Sequence, residues 1–525
     1  MISKDDDSTQ KYYLTTAIDY PNAPPHIGHA LEKVAADVIA RYHRLLGHDT
    51  YFSIGLDENS QHVVRAASAN GLDPFSWVQQ MDEAFRLAWS KLDISNDYWM
   101  RTTEERHIRA SQEMFQRAWD RGDIYSSVYS GWYCPNDNTF YTSEELVNGH
   151  CPNHPSITPE WLEEENYFFA LSKYTDPLLA HIEAHPEFIM PASRRAEVVG
   201  LLKQGLRDFS VSRLVRAELG TWGIPVPINP KHIIYVWFDA LINYLTAVGF
   251  PDDEQKFAHY WPADAHVIGK DITRFHCLYW PAMLLSADLP LPKQVAVHGF
   301  ITLDGQRISK TTGNTIDPVA LVDEIGVDAV RYSLLRNLSF ASDDDFSRSA
   351  LFRHYNDELG NDLGNLLNRV VSMIQRYRGG TIPIPKANTQ LEEDLRGMAT
   401  ETRQAAANAL EAWDIGGALN TTWNLVRRAN QYIEQSEPWK LARQAEQQER
   451  LDTVLYSAAE VLRLIAVLLA PYIPTTSNGI LAQLGIDASV RSGAWIQSTI
   501  WGNITLTKVV PGNILFPRIE ERVSS

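Results

Sequence analysis

The sequence predicts an α/β protein, a parallel-sheet unit at the front followed by an α-helical unit at the back. Three observations carry this. The first 60 residues read strand, loop, helix, strand; the last 170 place apolar residues at helical spacing; and the charge balance changes between the two. Of 47 Lys+Arg and 65 Asp+Glu residues, which make a net charge of −18, 31 and 47 precede Asn356. The remaining 16 and 18 leave the tail at −2 and the front at −16, so a boundary is expected near residue 355. A chain of 525 residues suggests three or more structural units at roughly 100–200 residues each. With 44% hydrophobic residues it buries real cores, which excludes wholesale disorder.

Each element follows from local pattern. Tyr12 to Ile18 is aromatic and β-branched, a strand, and a loop with Pro21, Asn22, Pro24 and Pro25 ends it. From His29 to Leu46 the apolar positions Leu31, Val34, Val38, Ile39, Tyr42 and Leu45 recur at helical spacing, and Gly47 closes the helix. A second strand, Thr50 to Leu56, ends at Asp57-Glu58. Strand, helix and strand in this order make a βαβ unit, whose ligands bind beyond the C-terminal strand ends. Ala17 to His29 and Asp57 are therefore expected to border one crevice. Gln294 to Phe300 reads as one buried strand. In the tail, Leu359, Leu363, Leu366, Leu367, Val370 and Met373, then Ala405 to Ile433, then Leu451 to Leu469, read as helices.

The longest apolar run, Leu464 to Ala470, is far short of the roughly 20 residues of a membrane-spanning helix. Met1 to Gln10 has no apolar stretch and does not resemble a secretory signal. Three cysteines, Cys134, Cys151 and Cys277, make no disulfide framework, so a cytoplasmic protein with no membrane partner is expected.

Two motifs carry chemistry. His26-Ile27-Gly28-His29 opens the first helix, where unpaired N–H groups and the helix dipole favour phosphate. Gly28 admits a nucleotide close to the backbone. Gly305 to Asn314 is a Gly-bounded loop containing Arg307-Ile308-Ser309-Lys310-Thr311, and a lysine there suits a phosphoryl transition state whose charge needs donors placed from outside. Singly, each motif is most often an ordinary surface feature.

Together the two resemble the signatures of class I aminoacyl-tRNA synthetases. Further stretches are similar to the methionyl-tRNA synthetase family: Ala17 to Asn22 before the histidine motif, Tyr235 to Tyr244, Ile268 to Asp271 with Phe275 to Pro281, Glu437 to Lys440, and Leu515 to Glu520. The resemblance runs in order along nearly the whole chain. It implies a Rossmann-like catalytic domain (1–120 and 221–300) split by an inserted connective domain with a zinc knuckle (121–220). A signature-loop and stem-contact region (301–355) and a helical-bundle anticodon-binding domain (356–525) follow.

The implied reaction attaches L-methionine to tRNA(Met), initiator and elongator, through ATP-dependent methionyl-adenylate formation. His26, His29 and Lys310 are the implied catalytic residues. Gly28, Glu32, Asp271, Arg307, Ser309 and Lys310 are implied to bind ATP, with Mg2+. Methionine is long, apolar and polarizable, so an aromatic pocket suits it. Ala17, Ile18, Tyr20, Trp237, Ala240, Tyr244, His276 and Trp280 supply that pocket, and Asp57 receives the α-ammonium. Asn365, Arg369, Pro438 and Trp439 are the implied anticodon readers, since single-stranded bases are recognised by stacking and edge hydrogen bonds. Arg369, Arg376, Arg427 and Arg428 are expected to touch phosphate.

Departures from the family stand out. Cys134, Asp137, Cys151 and His154 form C-x2-D-x13-C-x2-H, with aspartate where many relatives have cysteine. Carboxylate oxygen is an accepted zinc ligand, so one structural Zn2+ is expected, the alternative being a decayed site with Asp137 facing solvent. Glu58-Asn59-Ser60 replaces an E-H-G-like stretch, Leu241 a common proline, and Arg307 the first lysine of the loop. The competing readings are another class I synthetase, for which the insertion is too short to hold an editing domain, and a catalytically retired tRNA-binding paralogue. A small-molecule nucleotidyltransferase would leave the helical tail unexplained. A monomer is expected.

Overall fold

The computed structural model describes residues 10–134, 139–152, 155–215, 222–308, 315–386, 388–487, 495–504 and 507–520. Strands β1 (Lys11–Thr16), β2 (Asp49–Leu56) and β3 (Tyr98–Arg101) come first, followed by β4 (Ile124–Cys134), β5 (Thr139–Tyr141) and β6 (Glu160–Phe169). Next are β7 (Ile189–Met190), β8 (Phe209–Ser210), β9 (Ser212–Leu214), β10 (His232–Ile234), β11 (Ala265–Gly269) and β12 (Val295–His298). A small sheet of β13 (Ile301–Leu303), β14 (Gln306–Arg307) and β15 (Asp344–Phe346) follows.

The central sheet has six strands in the order β3-β2-β1-β11-β12-β7, all parallel. Parallel strands are covered on both faces, which is why β11, Ala-His-Val-Ile-Gly, is buried throughout. The chain leaves β1 toward β2 on one side while β11 and β12 lie on the other. The β1/β11 boundary is thus the switch point where a crevice opens beyond the strand ends.

Helix α1 (Ile27–Leu45) connects β1 to β2 and lays Ile27, Leu31, Val34, Val38 and Ile39 on the sheet. Each such side chain stabilises the packing by roughly 1.5–3 kcal/mol relative to exposure. β4, β5, β6 and β8 form a separate antiparallel sheet. Residues 121–220 are not one self-contained insertion, however: β7 returns from that span to pair with β12.

The strand expected over Gln294 to Phe300 is broken at Gly299. A Cβ there would lie 2.2 Å from the Ser342 carbonyl oxygen, so the chain passes that backbone only as glycine and continues in the small sheet. The helix expected over Ala405 to Ile433 is two helices, Gln390–Glu411 and Ile415–Ser436. Trp413 between them has φ +60°, and Asp414 caps the second helix by accepting from Gly417 N at 3.0 Å.

The helical tail is tied to the sheet unit by Arg331, whose side chain is wholly buried. It pairs with Asp37 of α1 at 2.7 Å and donates to the carbonyls of Leu92, Pro471 and Tyr472 at 3.0, 3.0 and 2.8 Å. A guanidinium suits this position because it carries five donors in a planar fork.

Candidate active site

A cavity of about 660 Å³ opens where the C-terminal ends of β1, β2, β11 and β12 meet the start of α1. Its donor end is built by the helix cap. His26 is the N-cap residue, and its Nδ1 accepts from Gly28 N at 3.1 Å; His29 Nδ1 accepts from His26 N at 3.2 Å. The two rings stack at 3.8 Å. Because each Nδ1 accepts a backbone N–H, the neutral imidazoles carry their protons on Nε2 and present that N–H as donor. Gly28 is required by this arrangement: a Cβ would stand 2.9 Å from His26 Cε1.

The opposite end is aromatic. The helix Val236–Thr246 brings Trp237, Ala240, Leu241, Asn243 and Tyr244 to the wall. Trp237 stacks on Phe275 at 3.8 Å and meets Tyr20 edge-on at 6.0 Å. His276 Nδ1 lies 3.1 Å from the Ile272 carbonyl, to which it must donate, so its Nε2 accepts from the Tyr244 hydroxyl at 2.7 Å. Burial depresses the His276 imidazole to about 4, so it is neutral at physiological pH.

Asp57 lies at this end, only 2% exposed. Burial pushes its carboxyl well above the usual range, Glu58 adds to that, and a hydrogen bond from the Tyr20 hydroxyl opposes it. Burial and then Asp57 do the same to Asp239. One oxygen of each, Asp57 Oδ1 and Asp239 Oδ1, has no hydrogen-bond partner. Asn59 Nδ2 donates to Asp239 Oδ2 at 2.9 Å and to the Thr102 carbonyl at 3.1 Å. The altered Glu58-Asn59-Ser60 segment thus has a structural place: it braces the carboxylate pair.

Between the two ends runs a polar network. Glu32 meets Lys33 Nζ at 2.7 Å and His298 Nε2 at 3.1 Å, and Lys33 pairs with Asp19 at 3.1 Å. Asp271 and Gly269 line the same rim; a Cβ on Gly269 would press on Asp271 Oδ1 at 2.8 Å.

Comparison with known proteins gives the family of this chain. Residues 12–158 and 154–371 match the family model of class I tRNA synthetases (M), and residues 382–521 match that of the anticodon binding domain of methionyl tRNA ligase. The chain belongs to the methionyl-tRNA synthetase family. The methionine–tRNA ligase of Caldanaerobacter subterraneus subsp. tengcongensis is 44% identical over 97% of this chain and 79% of its own length. That of Bacillus subtilis is 43% identical over 97% and 78%. The solved Mycobacterium tuberculosis methionyl-tRNA synthetase in complex with methionyl-adenylate superposes with a TM-score of 0.92 at 41% identity, covering 97% of this chain and all of that one.

Against this family pattern the expected residues divide into four groups. Ala17, Ile18, Tyr20, His26, Gly28, His29, Glu32, Asp57, Trp237, Ala240, Tyr244, Asp271 and His276 all line the one cavity. Trp280 does not: it is fully buried behind Tyr244, ring centroids 5.8 Å apart, and its indole N–H donates to His266 at 3.2 Å. It backs the pocket wall rather than forming it. Ser309, Lys310, Asp137 and His154 lie outside the described residues, as does the side chain of Arg307. Cys134 and Cys151 are both buried and form no disulfide.

In the synthetase tail, Arg369 pairs with Glu434 at 2.6 Å, on the last turns of the helix that precedes Pro438-Trp439. Glu437, with φ +44°, turns the chain between them. Asn365 is exposed one turn before Arg369, Pro438 is buried and Trp439 half-buried. Arg427, half-exposed, pairs with Glu358 at 3.3 Å. Lys33, Asn243 and His298 are site residues that pattern reading missed, while Asp19 falls within the expected Ala17 to His29 border. No helix among the described residues is long and apolar enough to cross a membrane.

Proposed function

We propose that the chain charges tRNA(Met), initiator and elongator alike, with L-methionine in two steps, as a cytoplasmic monomer. The observation that carries this reading is the cavity's polarity. Imidazole donors at one end and an aromatic slot with a buried, unpartnered carboxylate oxygen at the other fit the phosphates of ATP and an apolar amino acid.

Methionine enters with its side chain among Tyr20, Trp237, Ala240, Tyr244 and His276, and its ammonium meets Asp57. The neutral His276–Tyr244 pair offers sulfur a polarizable wall without a charge. ATP lies across Gly28 with its ribose toward Glu32 and Asp271. The methionine carboxylate then attacks the α-phosphorus, releasing pyrophosphate. His26 and His29 hold their Nε2 protons toward the phosphoryl oxygens, where charge builds in the transition state. Lys310, Arg307 and Ser309 serve the same charge from the facing loop. Mg2+ arrives with ATP and offsets phosphate charge when bound. In the second step the terminal ribose hydroxyl of the tRNA attacks the mixed anhydride and AMP leaves. Positioning and electrostatics carry the rate, and no covalent enzyme intermediate is required.

Cys134, Asp137, Cys151 and His154 hold one structural zinc. Two buried cysteines, Cys134 closing β4 and Cys151 in the loop before β6, support this. Equal, near-zero zinc in wild type and Cys151→Ser would overturn it. Asn365, Arg369, Pro438 and Trp439 read the anticodon, supported by the exposed Asn365 one turn before Arg369 and by the half-buried Trp439 on the turn beside Glu434. Methionine-dependent ATP–pyrophosphate exchange tests the main reading: exchange with another amino acid and none with methionine would falsify it. Light scattering at a mass other than about 59 kDa would refute the monomer.

A further inference from the structure

Lys33 stands on the second turn of α1, yet its side chain is wholly buried. Lysine is almost never fully buried unless paired. Here its ammonium touches three oxygens: Asp19 at 3.1 Å, Glu32 at 2.7 Å and the Ala17 carbonyl at 2.8 Å. All three residues line the cavity. The Ala17–Asp19 segment also bridges the sheet across the switch point. Ala17 N donates to Val267 of β11 at 3.1 Å, Asp19 N to Gly55 of β2 at 2.9 Å, and Asp57 N to the Asp19 carbonyl at 2.9 Å. Lys33 is thereby one bond from the backbone that seats Asp57, and one bond from Glu32.

Replacing a buried ion pair by apolar side chains is often neutral or stabilising, so stability alone is weak reason for this arrangement. We propose that Lys33 is a positioning residue for adenylate formation, locking the Ala17–Asp19 segment and the Glu32 carboxylate into one unit between the methionine and ribose sites. This rests on the assignment of the two cavity ends made above. Lys33 does not touch the reacting atoms; it acts through Glu32 and through the seat of Asp57.

The acid limb of the pH profile gives a distinctive readout. Glu32 is held ionised despite burial by Lys33 and by His298. Asp19, Asp271, Tyr244, His276 and, one turn back on α1, His29 are other titratable groups on this side of the cavity, and none of them supplies a fixed positive charge. Removing the ammonium raises the Glu32 pKa, so activity is lost at a higher pH as the solution is acidified.

The test is ATP–pyrophosphate exchange by the full chain carrying Lys33→Met, Lys33→Arg, or the double change Lys33→Met with Asp19→Asn. The double variant also removes the Asp19 charge that Lys33 faces and decides the matter should the single variant fail to fold. Both methionine variants are expected to lose about tenfold or more in kcat/KM, since displacements of order 1 Å cost up to about a hundredfold. Their acid limb moves to higher pH, and Lys33→Arg returns it toward wild type. Folded methionine variants with wild-type rates and an unmoved limb overturn the proposal. A loss of rate with an unmoved limb, unrescued by arginine, overturns it too, leaving Lys33 only structural. Absence of methionine-dependent exchange in the wild-type chain would instead sink the functional reading itself.

Discussion

Gly28→Ala adds one methyl group where the structure leaves no room for it. The new Cβ would lie 2.9 Å from His26 Cε1 and 3.0 Å from Nδ1. Carbon atoms settle at about 3.5–4.0 Å, so the ring must retreat by roughly 0.5–1 Å. It cannot do so freely: it stacks on His29 at 3.8 Å, and Nδ1 accepts from Gly28 N at 3.1 Å. Stability changes little, because losing the cap costs about 1 kcal/mol while alanine in a helix gains up to about 1 kcal/mol over glycine. Activity changes much more. Misplacing a donor by about 1 Å, or losing it, reduces the rate by roughly a hundredfold or more. The expected result is exchange down by about two orders of magnitude with a thermal midpoint near that of the wild type. Wild-type exchange by a folded Gly28→Ala chain would refute the idea that the cap geometry aims these histidines.

Four further outcomes follow from the same geometry. Asp57 and Asp239 hold protons in the folded state that the unfolded chain releases above about pH 4, so their contribution to stability falls as pH rises through the folded-state values. Asp239→Asn should therefore raise the melting temperature at neutral pH, and a lower one counts against the shared burial. Methionine's ammonium favours ionised Asp57, so binding should release a proton; identical calorimetric heats in buffers of different ionisation enthalpy would contradict this. Arg331→Met removes one of the two cations on the buried Asp37, which keeps Arg41 and Ser95, and takes the donor from three carbonyls, so urea unfolding should show a loss of at least about 1–3 kcal/mol, an unchanged midpoint being the contrary result. Trp439→Ala should weaken tRNA charging by about 1–3 kcal/mol per stacked base and affect exchange far less; an equal loss in both assays would remove Trp439 from the anticodon site.

Much of the site is legible in the sequence, because its parts sit at strand ends and in one helix cap. Aromatic and β-branched composition and helical spacing place β1, α1 and β2, the C-terminal ends of parallel strands then bring Ala17, His26 and Asp57 together, and the family resemblance adds Asp271. Lys33 escapes such reading because a charge on an amphipathic helix normally faces solvent, whereas here Asp19, Glu32 and the Ala17 carbonyl enclose its ammonium. His298 looks like a strand residue until β12 ends beside Glu32. Trp280 shows the opposite failure: aromatic spacing does not tell a pocket wall from the layer behind it. The break at Trp413 is similarly hidden, since helical periodicity passes through a single left-handed residue with little change. β7 is obscured by being two residues long and wholly dependent on its partner β12.

One cavity is expected to activate methionine and deliver it to tRNA(Met). Charging of a tRNA(Met) transcript with labelled methionine by the purified chain tests this most directly. ATP-dependent charging is expected, nearly abolished by Asp57→Ala and sharply reduced when the transcript's anticodon is changed. Charging that proceeds equally with Asp57→Ala, or no charging of tRNA(Met) by the wild-type chain, would contradict it.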